Sequence, residues 1–485
     1  MKSVEFEPVM GLEVHCQLQT KSKAFCTCST KYGSPPNTQT CPVCLALPGA
    51  LPVLNKEAVE FAIRMGLATH CIIASESIFA RKNYFYPDLP KGYQISQFDR
   101  PLCEQGWIEI ETSDTVKRIA ITRIHLEEDA GKSIHDDAIT GGSGTFVDLN
   151  RCGTPLIEIV TEPDFTSTEE VTAYLTKIRQ MVQYLEICDG NMEEGSLRCD
   201  ANISVRRVGT KALGVKTELK NMNSFKAVER ALNFEMRRQI ALLSSGKSVV
   251  QETRLWDDGA GESRSMRSKE EAHDYRYFPE PDLVPLRVDK EWIDRIASNL
   301  AELPQARRDR FIKEYQIPKY DAEILTLSKS LADYFETTVR ASGDAKLSSN
   351  WIMSEVMAVL KDKKLDAAEF NVRPERLGRL LRLIIQGTIS GKIAKSVFEE
   401  MCSTEKDADE IVGEKGLLQI SDPQEIGRLV DRALDANKTQ LDQYLQGKEA
   451  LFGHFVGQVM KLSQGKASPA LTNTILKERL EKLKG

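Results

Sequence analysis

Gly11-Leu12-Glu13-Val14-His15-Cys16-Gln17-Leu18 alternates apolar and polar side chains, and this stretch decides how the amino-terminal part of the chain folds. A period of two is typical of a β-strand. It places Leu12, Val14, Cys16 and Leu18 on one face and Glu13, His15 and Gln17 on the other. A strand of this kind buries its apolar face and leaves its polar face to solvent or to a functional site.

Three further stretches repeat this pattern and carry carboxylates beside His, Arg or Asn, namely residues 123–129, 156–160 and 196–206. For any one of them, the solvated outer face of an antiparallel sheet explains the charges. Glu158, however, lies in a strand that is apolar on both sides, where an unpaired carboxylate would be costly to bury. Together the four stretches favour a clustered acidic site for Mg²⁺-dependent phosphoryl transfer over four unrelated polar faces.

Length and charge exclude several classes of protein. The 485 residues are enough for two to four domains, and the net charge of -6 excludes a uniformly basic surface, so any RNA contact must come from local patches. No apolar run approaches the length of a membrane span, and the first residues lack the apolar core of a signal peptide. We therefore expect a cytoplasmic protein with no membrane contact.

The eleven cysteines are an odd number without an export signal, which argues against a disulfide framework. Seven of them are scattered like small hydrophobic residues. The other four form two close pairs, Cys26 with Cys28 and Cys41 with Cys44, separated by twelve residues. This spacing predicts a closed structural Zn²⁺ site, with a subset of these ligands or a redox Cys-x-x-Cys as alternatives.

The spacing of apolar residues along the sequence changes near residue 286. Before it, strand-like segments are interrupted by amphipathic helices at residues 167–185 and 224–244. After it, apolar residues recur at helical spacing. The predicted helices cover residues 290–299, 320–336, 349–360, 374–386 and 423–434, and a final helix starts with Ser468 as its cap and Pro469 in its first turn. The Pro-rich segment at residues 275–282 is a plausible domain edge.

Two regions have the composition of RNA contacts. The carboxyl-terminal part carries Lys461, Lys466, Lys477, Arg479, Lys482 and Lys484 against only Glu478 and Glu481. A grip on an RNA backbone and a solvated helix face explain this excess about equally well. Residues 81–94 interleave aromatic and basic side chains, as do proteins that hold single-stranded RNA ends, although a loop capping the core is an equal alternative.

Several long motifs resemble one known family. They are residues 11–15, 81–88, 127–132, 148–151, 153–160, 194–202 and 274–282. These stretches are similar to the B subunit of the tRNA-dependent amidotransferase that makes Gln-tRNA or Asn-tRNA. The resemblance runs over essentially the whole chain, and its motifs are highly specific.

The resemblance implies an architecture and a reaction. The fold would be an α+β cradle similar to glutamine synthetase, an antiparallel sheet with helices, at residues 1–292, followed by an all-α helical domain at 293–405 and a tRNA-binding helical tail at 406–485. The activity would be that of a ligase. ATP and Mg²⁺ would phosphorylate the side-chain carboxylate of misacylated Glu-tRNA(Gln) or Asp-tRNA(Asn), and ammonia would then displace the phosphate.

The resemblance also implies roles for individual residues. The metal and activation site would be Glu13, His15, Glu127, Glu158 and Asp200, with Glu128 as a near neighbour. Lys82 matches a lysine that the family places where ammonia reaches the activated substrate. Beyond what the resemblance gives, our candidates for contacts to the nucleotide are Arg198, Arg151 and Glu128. The candidates for contacts to the tRNA are Tyr84, Tyr86 and the basic tail residues Lys461, Lys466, Lys477 and Arg479. The cysteine site is found in some members of the family and supports the cradle.

The family also implies partners, because this chain carries no amidase signature. Ammonia would come from an amidase-class A subunit, and a small C subunit would tie A to B in a heterotrimer. Two other classes remain open from the residues. A stand-alone ligase for a free amino acid would not need the helical tail, and a zinc-bearing RNA-binding scaffold would not need the acids.

Overall fold

The computed structural model describes residues 5–113, 115–134, 144–268 and 275–484. It divides the chain into two compact units, Met1–Leu303 and Pro304–Gly485. The first unit combines sheets with helices, and the second is helical. The sequence-based division at residues 292 and 405 stays a prediction.

The first unit contains strands of very different lengths. They are β1 (Phe6–Gln17), β2 (Ile72–Ile73), β3 (Glu76–Ser77), β4 (Ala80–Asn83), β5 (Tyr93–Ser96), β6 (Cys103–Glu111), β7 (Val116–Glu128), β8 (Lys132–Ile134), β9 (Phe146–Asp148), β10 (Pro155–Thr161), β11 (Leu197–Arg207), β12 (Thr217–Lys220), β13 (Glu252–Asp257), β14 (Glu262–Ser268), β15 (Phe278–Pro279) and β16 (Leu286–Arg287). The longest of them, β1, β7 and β11, belong to one large sheet.

That sheet has nine strands in the order β14-β13-β12-β11-β1-β10-β7-β6-β2. Neighbours are antiparallel except β12 and β13, which are parallel. The expected antiparallel sheet is therefore mixed, because a helical crossover joins β12 to β13.

Helices cover the apolar face of this sheet. They are α1 (Lys56–Ala68), α2 (Thr168–Tyr184) and α3 (Phe225–Ser244), and α4 (Lys290–Ser298) packs against α1. Ser167 and Ser224 accept hydrogen bonds from backbone N–H groups of the first turns of α2 and α3, so the two helices begin where the sequence predicts. Leu12, Val14 and Cys16 of β1 lie fully buried in the core. The predicted alternation of β1 is thus confirmed.

Three smaller sheets complete the first unit: β15-β4-β5, β16-β3 and β8-β9. They show that the Pro-rich segment is not a domain edge. It adds β15 to β4, and Arg81 pairs with the buried Glu280 through two hydrogen bonds of 2.7 Å.

The second unit contains α5 (Pro304–Tyr315), α6 (Lys319–Leu325), α7 (Lys329–Ser342), α8 (Ala345–Trp351), α9 (Met357–Lys363), α10 (Pro374–Ile385), α11 (Gly391–Met401), α12 (Ala408–Glu414), α13 (Pro423–Asp435), α14 (Lys438–Leu445), α15 (Phe452–Leu462) and α16 (Pro469–Lys484). A π-helical segment, Ile352–Val356, links α8 to α9, and short 3₁₀ turns lie at Ala367–Glu369 and Glu449–Leu451.

Two separate hydrophobic clusters stabilise this unit, one formed by residues between Phe311 and Val412 and one by residues between Ile426 and Leu480. The single helix expected at residues 320–336 is wrong. The chain breaks after Leu325, and Ser328 caps a new helix by accepting a hydrogen bond from the Leu331 N–H. In the described part of the chain, no helix is long and apolar enough to cross a membrane.

Candidate active site

The polar face of the large sheet gathers side chains from its central strands. Antiparallel pairing sets Glu13 of β1 opposite Asp200 of β11, and His15 opposite both Glu158 of β10 and Arg198 of β11. Because residues two apart on a strand share a face, these side chains lie together. Four of the five residues predicted for the metal and activation site therefore meet on β1, β10 and β11, and Glu127 joins them from β7.

His15, Glu127 and Glu158 form one set of possible metal ligands, here called the His15 group, with ligand atoms within 4.8 Å of one another. His15 Nε2 lies 3.3 Å from Glu158 Oε2 and 3.8 Å from Glu127 Oε1. His125 reaches the same carboxylates, 3.6 Å from Glu158 and 3.8 Å from Glu127. Among the described residues, Glu127 Oε2 is buried without a hydrogen-bond partner. A cation or a substrate donor would satisfy this oxygen.

The two histidines explain how Glu158 is tolerated in a buried strand. Burial alone would raise its pKa, but the charges of His125 and His15 outweigh that effect and lower the pKa of Glu158 well below its ordinary value. Conversely, burial would lower the pKa of His15, and Glu158 raises it overall. The strand thus keeps an ionised carboxylate within reach of a ligand.

Glu13, Asp200 and Glu218 form a second set of oxygen atoms within 4.8 Å, here called the Glu13 group. Lys220 of β12 lies against it, with Nζ 2.5 Å from Asp200 Oδ2 and 3.2 Å from Glu218 Oε1. Asn202 donates to Glu13 Oε1 at 3.1 Å, and Thr253 donates to Glu218 Oε2 at 2.8 Å. Protein donors therefore contact all three of these carboxylates.

The face as a whole carries more negative charge than its lysines and arginines neutralise. Burial, followed by the charges of Glu158 and Glu218, raises the pKa of Glu13. Ionised carboxylates this close attract a hard divalent cation, which takes oxygen ligands. The residues present therefore fit Mg²⁺, and the buried free oxygen of Glu127 is the observation that makes the His15 group its best place.

Lys82 stands beside the His15 group within a set of aromatic rings. Burial would lower its pKa, but the charges of Glu127 and Glu158 raise it overall, so the side chain stays protonated. Its Nζ lies 5.0 Å from the centre of the Tyr275 ring, which packs edge-on against Tyr84 at 5.9 Å. The predicted Tyr84 is thus adjacent to Lys82, whereas the predicted Tyr86 is exposed in the following loop.

Arg198 and Arg151 both approach Asp129, the residue after β7. Arg198 Nη2 lies 3.0 Å and Arg151 Nε 3.7 Å from Asp129 Oδ2, and Gln17 donates to the same oxygen at 2.6 Å. Arg151 also donates to the backbone carbonyls of Ala130 and Gly131. The structure therefore gives Arg198 a place next to His15, while Arg151 holds the loop that follows β7.

Glu128 lies away from the groups described above. It follows Glu127 directly in β7 and so points to the opposite face. There it forms a buried pair with Lys91, whose Nζ is 2.6 and 2.7 Å from the two carboxylate oxygens, and it accepts the Ile95 N–H at 3.0 Å. The structure does not bring this predicted nucleotide contact to the site.

A cavity of about 290 Å³ opens on the same face of the sheet beside the Glu13 group. Val9, Val160, Gly11 and Leu213 contribute to its largely apolar lining, and Glu13 and Asn202 lie at its polar side. Because residue 11 is a glycine, no side chain projects into the cavity from this position. The cavity is wide enough for a flat heterocycle next to charged groups.

The four grouped cysteines meet as predicted, with their sulfur atoms within 4.8 Å of one another. Tetrahedral Zn²⁺ would hold them about 3.8 Å apart, so only a small adjustment is needed. Hydrogen bonds from the Cys26 thiol and the Cys41 N–H lower the pKa of Cys44. The buried Lys23 Nζ lies 3.7 Å from Cys44 Sγ. These residues fit a structural zinc ion.

The basic residues predicted to contact tRNA lie on or just before the last two helices. Lys461 and Lys477 are exposed, and Lys466 is half-buried. Arg479 is exposed but paired with Asp431, with 3.2 Å between Nε and Oδ1. Two of the four predicted contacts are thus open to a ligand without any rearrangement.

Sequence reasoning missed three residues of the face: His125, Glu218 and Lys220. His125 stands two residues before Glu127, so the alternation of β7 already places it on the site face. Glu218 and Lys220 share a four-residue strand whose neighbours in space are far away in sequence. No local signal connects that strand to Asp200.

Comparisons with known proteins show which family this chain resembles. The family description GatB/GatE catalytic domain matches residues 8–294, and the description GatB domain matches residues 333–480. A protein of Chlorobium phaeobacteroides (strain BS1) is 58% identical over 478 residues, which cover 99% of this chain and 100% of that protein. One of Geobacter sulfurreducens is 56% identical over 482 residues, covering 99% and 100%. Both are named as the B subunit of an aspartyl/glutamyl-tRNA(Asn/Gln) amidotransferase.

Proposed function

The chain belongs to the GatB/GatE family of amidotransferase B subunits, and on that premise we propose that it converts misacylated Glu-tRNA(Gln), Asp-tRNA(Asn) or both into the amidated tRNAs. A side-chain carboxylate of the aminoacyl group attacks the terminal phosphorus of ATP, and the bond from that phosphorus to ADP breaks. Ammonia then attacks the carbonyl carbon of the acyl phosphate. Phosphate leaves, the amide forms, and the nitrogen loses a proton.

The observation that carries the proposal is the pair of carboxylate groups on one sheet face with three cationic side chains among them. Arg198 and Lys220 lie at the edges of the groups, and Lys82 lies beside the His15 group. Such charges neutralise the phosphates of a nucleotide and the carboxylate that approaches them, which would otherwise repel one another. A carboxylate needs this activation because it has no competent leaving group of its own.

His15, Glu127 and Glu158 would hold Mg²⁺, with Glu13 and Asp200 nearby. The ion would neutralise charge on the transferred phosphoryl group. The chain itself orients these ligands through strand register, and His125 keeps Glu158 ionised.

Lys82 is suited to the amidation step. Its ammonium is partly enclosed by Tyr275 and Tyr84, which restricts water around it. In our proposal this ammonium contacts the acyl phosphate and stabilises the charge that develops on the phosphate as it leaves. The aromatic rings then line the path by which ammonia arrives.

The cavity next to the Glu13 group is the proposed place for the nucleotide base. Apolar walls formed by Val9 and Val160 suit the faces of a purine, and the absence of a side chain at Gly11 leaves room for it. The phosphates would then extend along β1 toward His15.

The remaining parts of the proposal concern the fold of the first unit, the zinc site, the tRNA contacts and the partner subunits. We propose a cradle similar to glutamine synthetase for the first unit, braced by Zn²⁺ at the four cysteines. The helical parts would contact tRNA through Lys461, Lys466, Lys477 and Arg479. Ammonia would come from an amidase-class A subunit, with a small C subunit completing the heterotrimer in the cytoplasm.

The test is to reconstitute the chain with its A and C partners and follow ADP release and amide formation on each misacylated tRNA. Glu158→Gln and Asp200→Asn should each abolish ATP hydrolysis that depends on misacylated tRNA, with tRNA affinity changed less than about threefold. Glu104→Gln, an exposed carboxylate of β6, is the matched control and should keep full activity. Retained turnover in both site variants would refute the assignment.

A further inference from the structure

Lys23 is a buried lysine whose ammonium has no carboxylate beside it. The residue has no exposed surface, and its Nζ donates to the Gln39 backbone carbonyl at 2.7 Å and to Cys44 Sγ at 3.7 Å. In the described part of the chain, no Asp or Glu forms an ion pair with this nitrogen. A buried charge is costly unless it is paired, so its counter-charge has to come from the sulfur atoms.

The four cysteines offer such a counter-charge when they hold a metal ion. Four thiolates outweigh the charge of one Zn²⁺ and leave a net charge of about -2. Cys44 is the buried member of the set, whereas the other three are partly exposed to water. Its sulfur also accepts the Cys41 N–H at 3.1 Å. The ligand with the least access to water is therefore the one that the lysine contacts.

The backbone around Lys23 fixes the position of its side chain. The Lys23 N–H donates to the Cys28 carbonyl at 3.0 Å, and the Ala24 N–H donates to the Gly153 carbonyl at 2.8 Å. Gly153 has a φ of +81°, and a Cβ at this position would lie 3.5 Å from Lys23 Cδ and 3.4 Å from Cys44 Cβ. The aliphatic stem is thus held between the cysteine loop and the Gly153 turn, with the ammonium directed at Cys44.

From this arrangement we infer that Lys23 is the counter-charge of the zinc-bound thiolates and raises the affinity of the four cysteines for Zn²⁺. It acts through Cys44 and does not contact the ion, so it is a positioning residue of the zinc site. Partners of this kind orient metal ligands and adjust their electron density. The inference rests on the proposed function, because it assumes that the cysteines bind zinc.

Zinc affinity of the full-length chain tests the inference. The chain is reduced and freed of metal, and Zn²⁺ is then titrated in competition with a chromogenic chelator. Lys23→Met should raise the zinc dissociation constant by roughly 10- to 100-fold, the usual cost of losing a partner of a metal ligand. Lys23→Arg keeps the positive charge and should retain most of the affinity. Lys21→Met, which removes an exposed lysine two residues earlier, is the matched control and should bind zinc like the wild type.

Co²⁺ in place of Zn²⁺ separates a charge effect from a packing effect. Its sulfur-to-cobalt charge-transfer band reports the energy of the electrons on the thiolates. Removing a positive charge beside Cys44 raises that energy, so the band should move to longer wavelength in Lys23→Met. It should stay in place in Lys23→Arg and in Lys21→Met.

An unchanged zinc dissociation constant or an unchanged cobalt band in Lys23→Met would overturn the inference, as would equal losses of affinity in Lys23→Met and Lys23→Arg. Circular dichroism reports whether each variant folds, and Lys23→Gln replaces Lys23→Met if that variant does not. Failure of both neutral variants beside a folded Lys23→Arg would support the need for a charge, and failure of all three would overturn it. A wild-type chain that binds no Zn²⁺ would overturn the proposed zinc site itself, so the two failures are distinguishable.

Discussion

Replacing Lys91 with Met is expected to destabilise the first unit by about 3–5 kcal/mol, because it leaves the Glu128 carboxylate buried without its charge partner. Both side chains are nearly inaccessible, with exposures of 3% and 2%, and Nζ lies 2.6 Å from the nearer oxygen. The Ile95 N–H remains as one donor to Glu128, so part of the hydrogen bonding survives. The net loss should therefore fall in the lower half of that range.

The double variant Lys91→Met with Glu128→Gln removes both charges, and its comparison with the single variants measures the interaction energy between the two side chains. The amide oxygen of Gln keeps an acceptor for the Ile95 N–H, while both charges are gone. Because removing both ions avoids an unpaired buried charge, the double variant should recover to within about 1–2 kcal/mol of the wild type. A coupling energy of at least about 1.5 kcal/mol between the two sites is expected.

The assay is guanidinium denaturation followed by tryptophan fluorescence. Trp107, Trp256 and Trp292 belong to the first unit, so its unfolding dominates the signal. Lys56→Met is the matched control: Lys56 is exposed and lies 3.9 Å from Glu60, and its loss should change stability by less than about 1 kcal/mol.

Two results would contradict a purely structural role for the pair of Lys91 and Glu128. If Glu128→Gln left stability unchanged but abolished ATP hydrolysis that depends on misacylated tRNA, Glu128 would act in the site, and the structural role of its pair with Lys91 would be contradicted. If Lys91→Met cost no more than Lys56→Met, the pair would contribute nothing that an exposed pair does not.

Three further outcomes follow from the structure. Burial favours the neutral form of Asp129, but Arg198 and then Arg151 lower its pKa overall. This pairing therefore stabilises the fold above about pH 4, and the stabilisation is lost as the pH falls through the lowered pKa. Arg198→Met should raise the pKa of Asp129 and move the acid-unfolding midpoint, measured by circular dichroism, to higher pH. Cys44→Ser should lower bound zinc well below one ion per chain by elemental analysis and reduce the melting temperature by several degrees. Lys461→Ala with Lys477→Ala should weaken tRNA binding and flatten the slope of log K against log salt by up to about 2 in filter binding.

Each of these three predictions has a control variant and a result that would contradict it. Arg207→Met removes an exposed arginine of the same unit and should leave the acid midpoint unchanged. An unchanged midpoint in Arg198→Met would contradict the pairing. Cys402→Ser should keep its zinc, and full zinc in Cys44→Ser would remove Cys44 from the ligand set. A wild-type salt slope in the double lysine variant would place tRNA elsewhere.

The local sequence determined the elements and much of the site. Alternation in β1 and β11 put Glu13, His15 and Asp200 on predicted polar faces, and those faces are the observed ones. Glu158 stood out as the one carboxylate within the apolar stretch of β10. Strand alternation and helix caps are short-range effects, set by backbone geometry and by side chains within a few residues. For the same reason the grouping of the four cysteines could be read from their spacing.

Tertiary structure decided which strands became neighbours. Pairing of β12 with β11 brings Glu218 and Lys220 to Asp200, and this long-range pairing leaves no trace in the local pattern. It also decided which of two adjacent acids enters the site: Glu127 faces His15, while Glu128 pairs with Lys91 on the opposite face. A sequence contains the charges, but whether a charge is free to bind a ligand depends on the partner that folding brings to it.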